Sequence, residues 1–232
     1  MPKDSPTQSE RQAPFRYGVV FLIVLVLLVF EIAVSDADWA RGIDIALAGA
    51  ALSVTVATSR EPGEVRRRRT VIVGAAALAV VIAVASGLLS PAVTFLVFTF
   101  LLAAVPVGLV GGLSRLVRSQ GVTAQVVAGA LSIYLLIGLL FASLIAFVGA
   151  VESGSYFKQA ASVPNGVRVY YSFTVLTTTG FGDYTAAQPV GHALAVLEML
   201  TGQLYLVTVI GVVVGNFAGR RRSADSQASS SS

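Results

Sequence analysis

Long apolar stretches alternate with short polar segments along the chain. A helix needs about 20 apolar residues to cross a bilayer, and six stretches are read as such spans. They run from Tyr17 to Val34, Ile43 to Thr58, Val71 to Leu89, Ala92 to Gly112, Gln125 to Val151 and Val190 to Phe217. The second is marginal in length, and Pro106 is expected to kink the fourth. The pattern predicts an all-α membrane protein with six transmembrane helices.

The composition agrees with a helical membrane protein. Hydrophobic residues make up 55% of the chain and charged residues 12%, with a mean hydropathy of +0.80. The chain has no cysteine, which excludes disulfides and zinc-cysteine sites, and no cofactor is predicted. A cleavable signal peptide is an alternative for the first stretch, because Arg11 and Arg16 precede it. Its Ala33-Val34-Ser35 end is, however, a poor cleavage site.

The basic residues divide unevenly between the two sides of the predicted spans. Thirteen of the 16 Lys and Arg residues fall on the side of the two termini, and only Arg41, Lys158 and Arg168 fall on the other. Since basic segments stay in the cytoplasm, both termini are expected there. The net charge of +4 therefore reflects topology, and no nucleic-acid partner is expected. Arg66–Arg69 lie in a predicted basic loop, 60–69, that anchors this topology; binding of anionic lipid headgroups there is the alternative. A second basic loop is predicted at 114–121.

The stretch between the last two spans contains one segment, 177–183, that is too polar and too short to cross a membrane. Glu152 to Gly166 is expected to form an outer turret, and Val167 to Thr177 a pore helix of roughly 16 Å. The sequence Thr-Thr-Thr-Gly-Phe-Gly-Asp, 177–183, follows. Non-helical backbone at membrane depth is tolerated where it lines a water-filled cavity or is buried in protein. Gly180 and Gly182 can adopt backbone angles closed to other residues, so that carbonyl oxygens can replace the water around a cation.

This segment resembles the potassium-channel signature Thr-Val-Gly-Tyr-Gly-Asp. The aligned positions are Thr178, Thr179, Gly180, Phe181, Gly182 and Asp183, of which Thr179 replaces valine and Phe181 replaces tyrosine. The resemblance extends over roughly 125–217 and implies an outer helix, a pore helix, a filter and an inner helix. It implies K⁺ bound at Thr178, Thr179, Gly180 and Phe181, with the Thr178 hydroxyl at the inner end of the filter. Because one filter loop cannot enclose a pore, a homotetramer is expected.

The resemblance also implies roles for residues around the filter. Thr177 and Asp183 would support it, and Tyr170 and Tyr171 would form an aromatic cuff, with interfacial anchoring as the alternative. Thr174 stands where some relatives carry an acid that pairs with the aspartate, so that pair is absent.

The sixth span contains the implied hinge and cavity lining. Gly202 matches the gating-hinge glycine of the family, and close helix packing is an equal alternative. Gln203, Leu206, Ile210 and Val214 would line the cavity, with Gln203 below the filter.

Three further polar side chains lie in or next to the predicted spans. Glu198 lies about 140° around the sixth helix from the cavity stripe, so it is expected to face the pore helix or a neighbouring subunit. An acid within a span is a functional candidate; a buried structural hydrogen bond is favoured over a cation site. Glu31 is expected to snorkel to the interface, and His192 to be exposed without a role.

These assignments divide the chain into four parts. A disordered cytoplasmic tail is predicted at 1–14, a four-helix peripheral domain at 15–121, a pore domain at 122–218 and a second disordered cytoplasmic tail at 219–232. The fourth span has no arginine between Ala92 and Gly112, so strong voltage gating is not expected. The predicted location is a prokaryotic plasma membrane.

Other functions stay open at this point. Gly-Phe-Gly-Asp also fits intramembrane aspartyl proteases, but that chemistry needs two carboxylates sharing a proton. Asp183 has no clear partner in the sequence, so the protein is not expected to be an enzyme. Potassium transporters with related loops usually carry four loops and one filter glycine in each, whereas this chain has one loop with both glycines. A poorly selective cation channel and a non-conducting homologue or regulatory subunit are the remaining alternatives.

Overall fold

The computed structural model describes residues 16–34, 38–58, 63–121, 123–152 and 154–230. Seven helices lie in these ranges: α1 (Arg16–Ala33), α2 (Asp38–Thr58), α3 (Gly63–Ala85), α4 (Pro91–Gln120), α5 (Ala124–Val151), α6 (Asn165–Leu176) and α7 (Pro189–Ser230). The described part of the chain contains no β-strand, only one isolated bridge. The all-α prediction is confirmed. The tail predicted at 1–14 lies outside the described residues.

Three of the helices are long and apolar enough to cross a membrane. Their apolar stretches are Pro91–Gly111, Ala124–Val151 and Pro189–Val209, which correspond to the fourth, fifth and sixth predicted spans. The other predicted spans coincide with shorter apolar helices, Tyr17–Ala33, Gly42–Thr55 and Gly74–Val84. The chain therefore has the character of a helical membrane protein, and the six-span topology stays a prediction.

The starts of α4 and α5 follow from local capping. The Ser90 hydroxyl accepts from the Val93 amide at 3.5 Å, and Pro91 occupies the first turn. The Thr123 hydroxyl accepts from the Val126 amide at 3.4 Å. Serine and threonine satisfy free amides at helix starts, and proline suits the first helical position. Ser90 and Pro91 thereby define the start of α4.

The two predicted basic loops are largely helical. Helix α3 begins at Gly63 and includes the backbone of Arg66–Arg69, and α4 continues through Pro106 to Gln120. Arginine, leucine and glutamine are good helix formers, so the polarity that ends an apolar stretch does not end the helix. Helix α4 stops where Gly121 adopts a positive φ of 71°, a conformation that favours glycine.

Two other helix ends differ from the prediction for the same reason. Helix α2 begins at Asp38, ahead of the predicted span that starts at Ile43, and an acidic residue stabilises a helix N-terminus. Helix α7 runs on to Ser230, whereas a disordered tail is predicted from 219. No glycine or proline follows Gly219 to stop the helix.

Residues from five helices form the main core. Helix α1 contributes one face, Val20, Val24 and Leu27, all fully buried, at the three- and four-residue spacing of a helix. Helix α1 packs on α2, α5 and α6, α2 pairs with α3 and α4, and α4 packs along α5. The remaining core members include Ile45, Ala48, Ala51, Leu102, Val105, Leu109, Ile133, Leu136 and Leu139. The short helix α6 is thereby held between α1, α5 and α7.

The contact between α1 and α6 corrects one prediction. Glu31 is only 4% exposed, and its carboxylate accepts a hydrogen bond from the Asn165 side-chain amide at the start of α6. The prediction that Glu31 snorkels to the interface is therefore wrong. A buried carboxylate needs hydrogen-bond donors, and Asn165 provides one.

Candidate functional site

Helix α6 descends between two helices whose glycines allow it to approach closely. It is 12 residues long and coincides with the predicted pore helix to within two residues at either end. A methyl group at Gly138 of α5 would lie 2.6 Å from the Phe173 ring. A methyl group at Gly202 of α7 would collide with the Leu176 carbonyl oxygen. The end of α6 therefore rests directly on the backbone of α7, which supports close packing as a role of Gly202.

The segment 177–183 leaves the end of α6 with its first amides bonded back to the helix. The Thr178 amide donates to the Val175 carbonyl at 2.9 Å, and the Gly180 amide donates to the Thr174 carbonyl at 3.1 Å. The Thr177 hydroxyl donates to the Phe173 carbonyl at 2.7 Å. These bonds satisfy carbonyls that a helix end leaves free, and they fix the segment to α6.

The backbone of the segment alternates in the sign of φ. Positive values occur at Thr178 (57°), Gly180 (52°) and Gly182 (79°), but not at Thr179 or Phe181. Alternation of handedness from residue to residue is a pattern that aligns successive backbone groups on one side. The sequence predicts unusual angles only for the two glycines. Thr178 is β-branched, for which a positive φ is an outlier that costs about 1–3 kcal/mol and is typical of functional sites.

The same segment is exposed along its whole length. Each residue from 177 to 183 is exposed in the single chain. The Gln203 side chain of α7 donates from Nε2 to the Thr178 hydroxyl oxygen at 3.2 Å, so two residues predicted separately, as filter and as cavity lining, are in contact. Leu206 follows on α7 and is partly exposed. The side chains of Ile210 and Val214 lie outside the described residues.

The two tyrosines predicted as one cuff take different positions. Tyr170 is exposed and lies parallel to the Phe181 ring, with centroids 6.3 Å apart, and its hydroxyl interacts with the Asp183 carboxylate. Tyr171 is buried, 6% exposed, and packs edge-on against Phe157 with ring centroids 5.1 Å apart. Tyr170 therefore contacts the segment itself, and Tyr171 packs behind it.

Residues outside the predicted site pack behind the segment together with Tyr171. Phe157 pairs with Ala186 in an antiparallel bridge, and its ring also lies edge-on to Tyr184 at 5.6 Å. Tyr156 joins the cluster, and burial raises the pKa of its hydroxyl, which is therefore neutral. The bridge ties the turret to the strand-like stretch after the segment. The adjacent Tyr156-Phe157 pair and Tyr184 were the signal available in the sequence.

Glu198 occupies the place predicted for it, facing the pore helix. Its side chain is fully buried and hydrogen-bonded to the Ser172 hydroxyl of α6. Thr174 bonds to the Tyr171 carbonyl at 2.8 Å, while Asp183 accepts from the Tyr184 amide at 3.1 Å. His192 is exposed as predicted, and its ring lies 3.0 Å from the Ala186 carbonyl oxygen.

The site offers oxygens of neutral groups rather than a cluster of charged ligands. Within the described ranges, no group of three His, Cys, Asp or Glu side chains is placed to hold a metal ion. The exposed segment includes three threonine hydroxyls beside its backbone carbonyl groups. Such oxygens suit weakly held, exchanging alkali cations better than tightly bound divalent ions.

Comparison with known proteins locates the same region. Residues 129–218 match the family model described as ion channel. The matched range includes most of α5, all of α6, the segment 177–183 and α7 as far as Ala218. No curated protein and no solved structure matches the chain.

Proposed function

We propose that the protein is a potassium-selective channel that conducts K⁺ passively across the plasma membrane. Support comes from residues 129–218, which match the family model described as ion channel. The observation that carries this proposal is the segment 178–182. It combines the potassium-type sequence with an alternating φ sign and full exposure in a single chain. A protease function is not proposed, since the described contacts of Asp183 are with tyrosines rather than with a second carboxylate.

In this proposal, dehydrated K⁺ is coordinated by the carbonyl oxygens of Thr178, Thr179, Gly180 and Phe181. Four copies of each oxygen would replace the hydration shell. The Thr178 hydroxyl would add a ring at the inner end, where Gln203 donates to it. Since Gln203 takes one lone pair of that oxygen, a second lone pair is left for the ion.

The proposed assembly is a homotetramer with the filter on its four-fold axis. Each chain carries one filter segment, and closed rotational symmetry is the usual way to surround an axis. Support comes from α7, whose span is only 17% buried within the chain, against 56% for α5. Residues 122–218 would form the pore domain and 15–121 the peripheral domain. Both termini would be cytoplasmic, with Arg66–Arg69 available to anionic headgroups.

Gating by voltage is not part of the proposal. The apolar stretch of α4, Pro91–Gly111, has no arginine, and each charge moved through the membrane field supplies only about 2.3 kcal/mol per 100 mV. Whatever stimulus opens the channel must therefore act by another route.

The experiment that tests the proposal is the reversal potential of the full chain in planar bilayers, with K⁺ on one side and Na⁺ on the other. A reversal near the K⁺ equilibrium potential is expected. Gly180→Ala should abolish selectivity, because φ of 52° is strained for alanine. The matched control is Gly87→Ala. Gly87 has a φ of 69° and open space around it, like Gly180, but lies between α3 and α4.

The outcomes separate the alternatives. A reversal near zero with sustained current would replace the proposal with a poorly selective cation channel. Absence of current from correctly assembled protein would favour a non-conducting homologue. Equal effects of the two glycine variants would mean that backbone strain in general, and not the filter, sets the current.

A further inference from the structure

The side chain of Glu198 is buried by residues of its own chain, without any contribution from a neighbouring subunit. It lies on α7, four residues before Gly202, and none of its surface is exposed. One carboxyl oxygen, Oε1, is hydrogen-bonded to the Ser172 hydroxyl. The other, Oε2, is buried and has no hydrogen-bond partner among the described residues. An ionised carboxylate with so few donors would be very costly at such a site.

The hydrogen bonds of Ser172 show that one proton is missing if Glu198 is ionised. Its Oγ is in contact with two acceptors, Glu198 Oε1 and the Gly138 carbonyl oxygen of α5, which lies at 2.7 Å. A serine hydroxyl has a single proton, so it can donate to only one of them. If Glu198 were ionised, two lone pairs would face each other across one of these contacts. One added proton on the carboxyl resolves the count.

We propose that Glu198 is a proton-binding site and holds its proton as a hydrogen-bond donor. The carboxyl O–H donates to Ser172 Oγ, and the Ser172 hydroxyl donates to the Gly138 carbonyl. One proton thereby joins α7, α6 and α5 in a single chain of two hydrogen bonds. The neutral carboxyl leaves only a carbonyl-type oxygen, Oε2, without a partner, which is much less costly than a buried charge.

Among the described residues, none supplies a positive charge that would favour the ionised form of Glu198. The described titratable groups that interact with it from the neighbouring elements are all tyrosines: Tyr134 of α5, Tyr171 of α6 and Tyr156 of the turret. Glu31 offers the contrast. It is also buried, but it accepts from the N–H of the Asn165 side chain, so its hydrogen bonds require no added proton.

The position of this hydrogen-bonded chain, Glu198 to Ser172 to the Gly138 carbonyl, gives it a role in the proposed channel. Ser172 lies six residues before Thr178 on the helix from which the filter segment leaves, and the end of that helix rests on Gly202. Glu198 is therefore a positioning residue that holds α6, and with it the filter, against α7 and α5. This role rests on the proposed function, whereas the presence of the proton does not.

The direct test is infrared spectroscopy of the full chain in liposomes at neutral pH. A protonated carboxyl absorbs at a frequency distinct from that of a carboxylate. We expect one protonated-carboxyl band per chain, lost in Glu198→Gln and kept in the control Glu31→Gln. Ser172→Ala should shift the band to higher frequency, because the carboxyl loses its acceptor. A spectrum without the band, or one in which Glu198→Gln leaves it unchanged, would overturn the proposal whether or not the protein conducts.

A pair of variants tests the donor role separately from bulk. Glu198→Gln keeps a neutral side chain with an N–H donor, and Glu198→Met keeps a similar length without one. We expect Glu198→Gln to retain the thermal stability of the reconstituted protein and its K⁺ current to within about twofold. Glu198→Met should lower both, since Ser172 then loses its donor. Equal stability and equal current in the two variants would contradict the proposed hydrogen bond from Glu198 to Ser172. If Glu198→Gln and Glu198→Met both retain stability while neither conducts, the positioning role is also contradicted. The infrared spectrum then still shows whether Glu198 is protonated.

Discussion

Gly202 has two interpretations, a gating hinge and a close helix contact, and adding one methyl group separates them. A Cβ there would collide with the Leu176 carbonyl oxygen and lie 2.9 Å from the Leu176 side chain. Overpacking of this kind costs about 1–3 kcal/mol, which exceeds the gain of about 1 kcal/mol from replacing glycine by alanine in a helix. Gly202→Ala is therefore expected to lower the thermal stability of the reconstituted protein.

The control for this variant is Gly211→Ala on the same helix. Gly211 has nothing within 4 Å of an added Cβ, so the helix should be unchanged or slightly more stable. A hinge that serves only for bending would respond differently: Gly202→Ala would change channel opening without loss of stability. That result would reject packing as the role of Gly202.

Single residues also show the limit of what the sequence predicts. The segment 177–183 could be identified as the candidate site because its information is local, in seven consecutive residues. The positive φ of Thr178 and its bond from Gln203 could not, since both depend on how α6 meets α7. The burial of Glu31 could not be predicted for the same reason, because its partner Asn165 is 134 residues away.

At the scale of elements, α4 and α5 are joined by a buried pair of hydroxyls. Thr99 Oγ1 and Ser143 Oγ lie 2.8 Å apart, and both also reach the Phe95 carbonyl. Hydrogen bonds between membrane helices are worth about 0.6 kcal/mol on average. A double-mutant cycle of Thr99→Val and Ser143→Ala, followed by unfolding in mixed micelles, should give a coupling of about that size.

Ser132→Ala is the matched control for this cycle. Ser132 is also buried on α5, but its hydroxyl donates within its own helix, to the Ala128 carbonyl at 2.8 Å. Combined with Thr99→Val it should show additive effects, because the two residues share no partner. Coupling of similar size in both cycles would mean that the measured energy does not come from the contact between helices.

The elements themselves were predictable where hydropathy and helix coincide. The outer helix, the pore helix and the start of the inner helix lie within two residues of their predicted positions. The errors lie at the polar ends, 38–42, 63–70, 114–120 and 220–230, where the structure is helical. Hydropathy marks the edge of the apolar stretch, whereas helix ends are set by caps and by glycine or proline.

For the whole molecule, the exposed parts of one chain suggest what covers them. The described face of α7 presents apolar side chains such as Leu200, Leu204 and Val207, each more than half exposed. Beside them lie the polar filter threonines and Gln203, also exposed. Lipid would cover the apolar side chains but leave polar backbone unsatisfied. Further copies of the chain around a water-filled axis satisfy both, which favours the proposed tetramer over a lipid-covered monomer.

Mixing experiments test the number of copies through function. If four chains share one filter and a single Gly180→Ala chain is enough to destroy selectivity, coexpression of equal amounts with the wild type should leave about one sixteenth of the assemblies intact. The K⁺-selective current should then fall to about one sixteenth of the wild-type current. Native mass spectrometry should show four chains per particle. Gly87→Ala, mixed in the same ratio, should leave the current unchanged.

A fall to about one half would instead indicate that each chain conducts alone, because a monomeric pore is unaffected by its neighbours. Such a result would reject the shared axis, even if selectivity for K⁺ were retained.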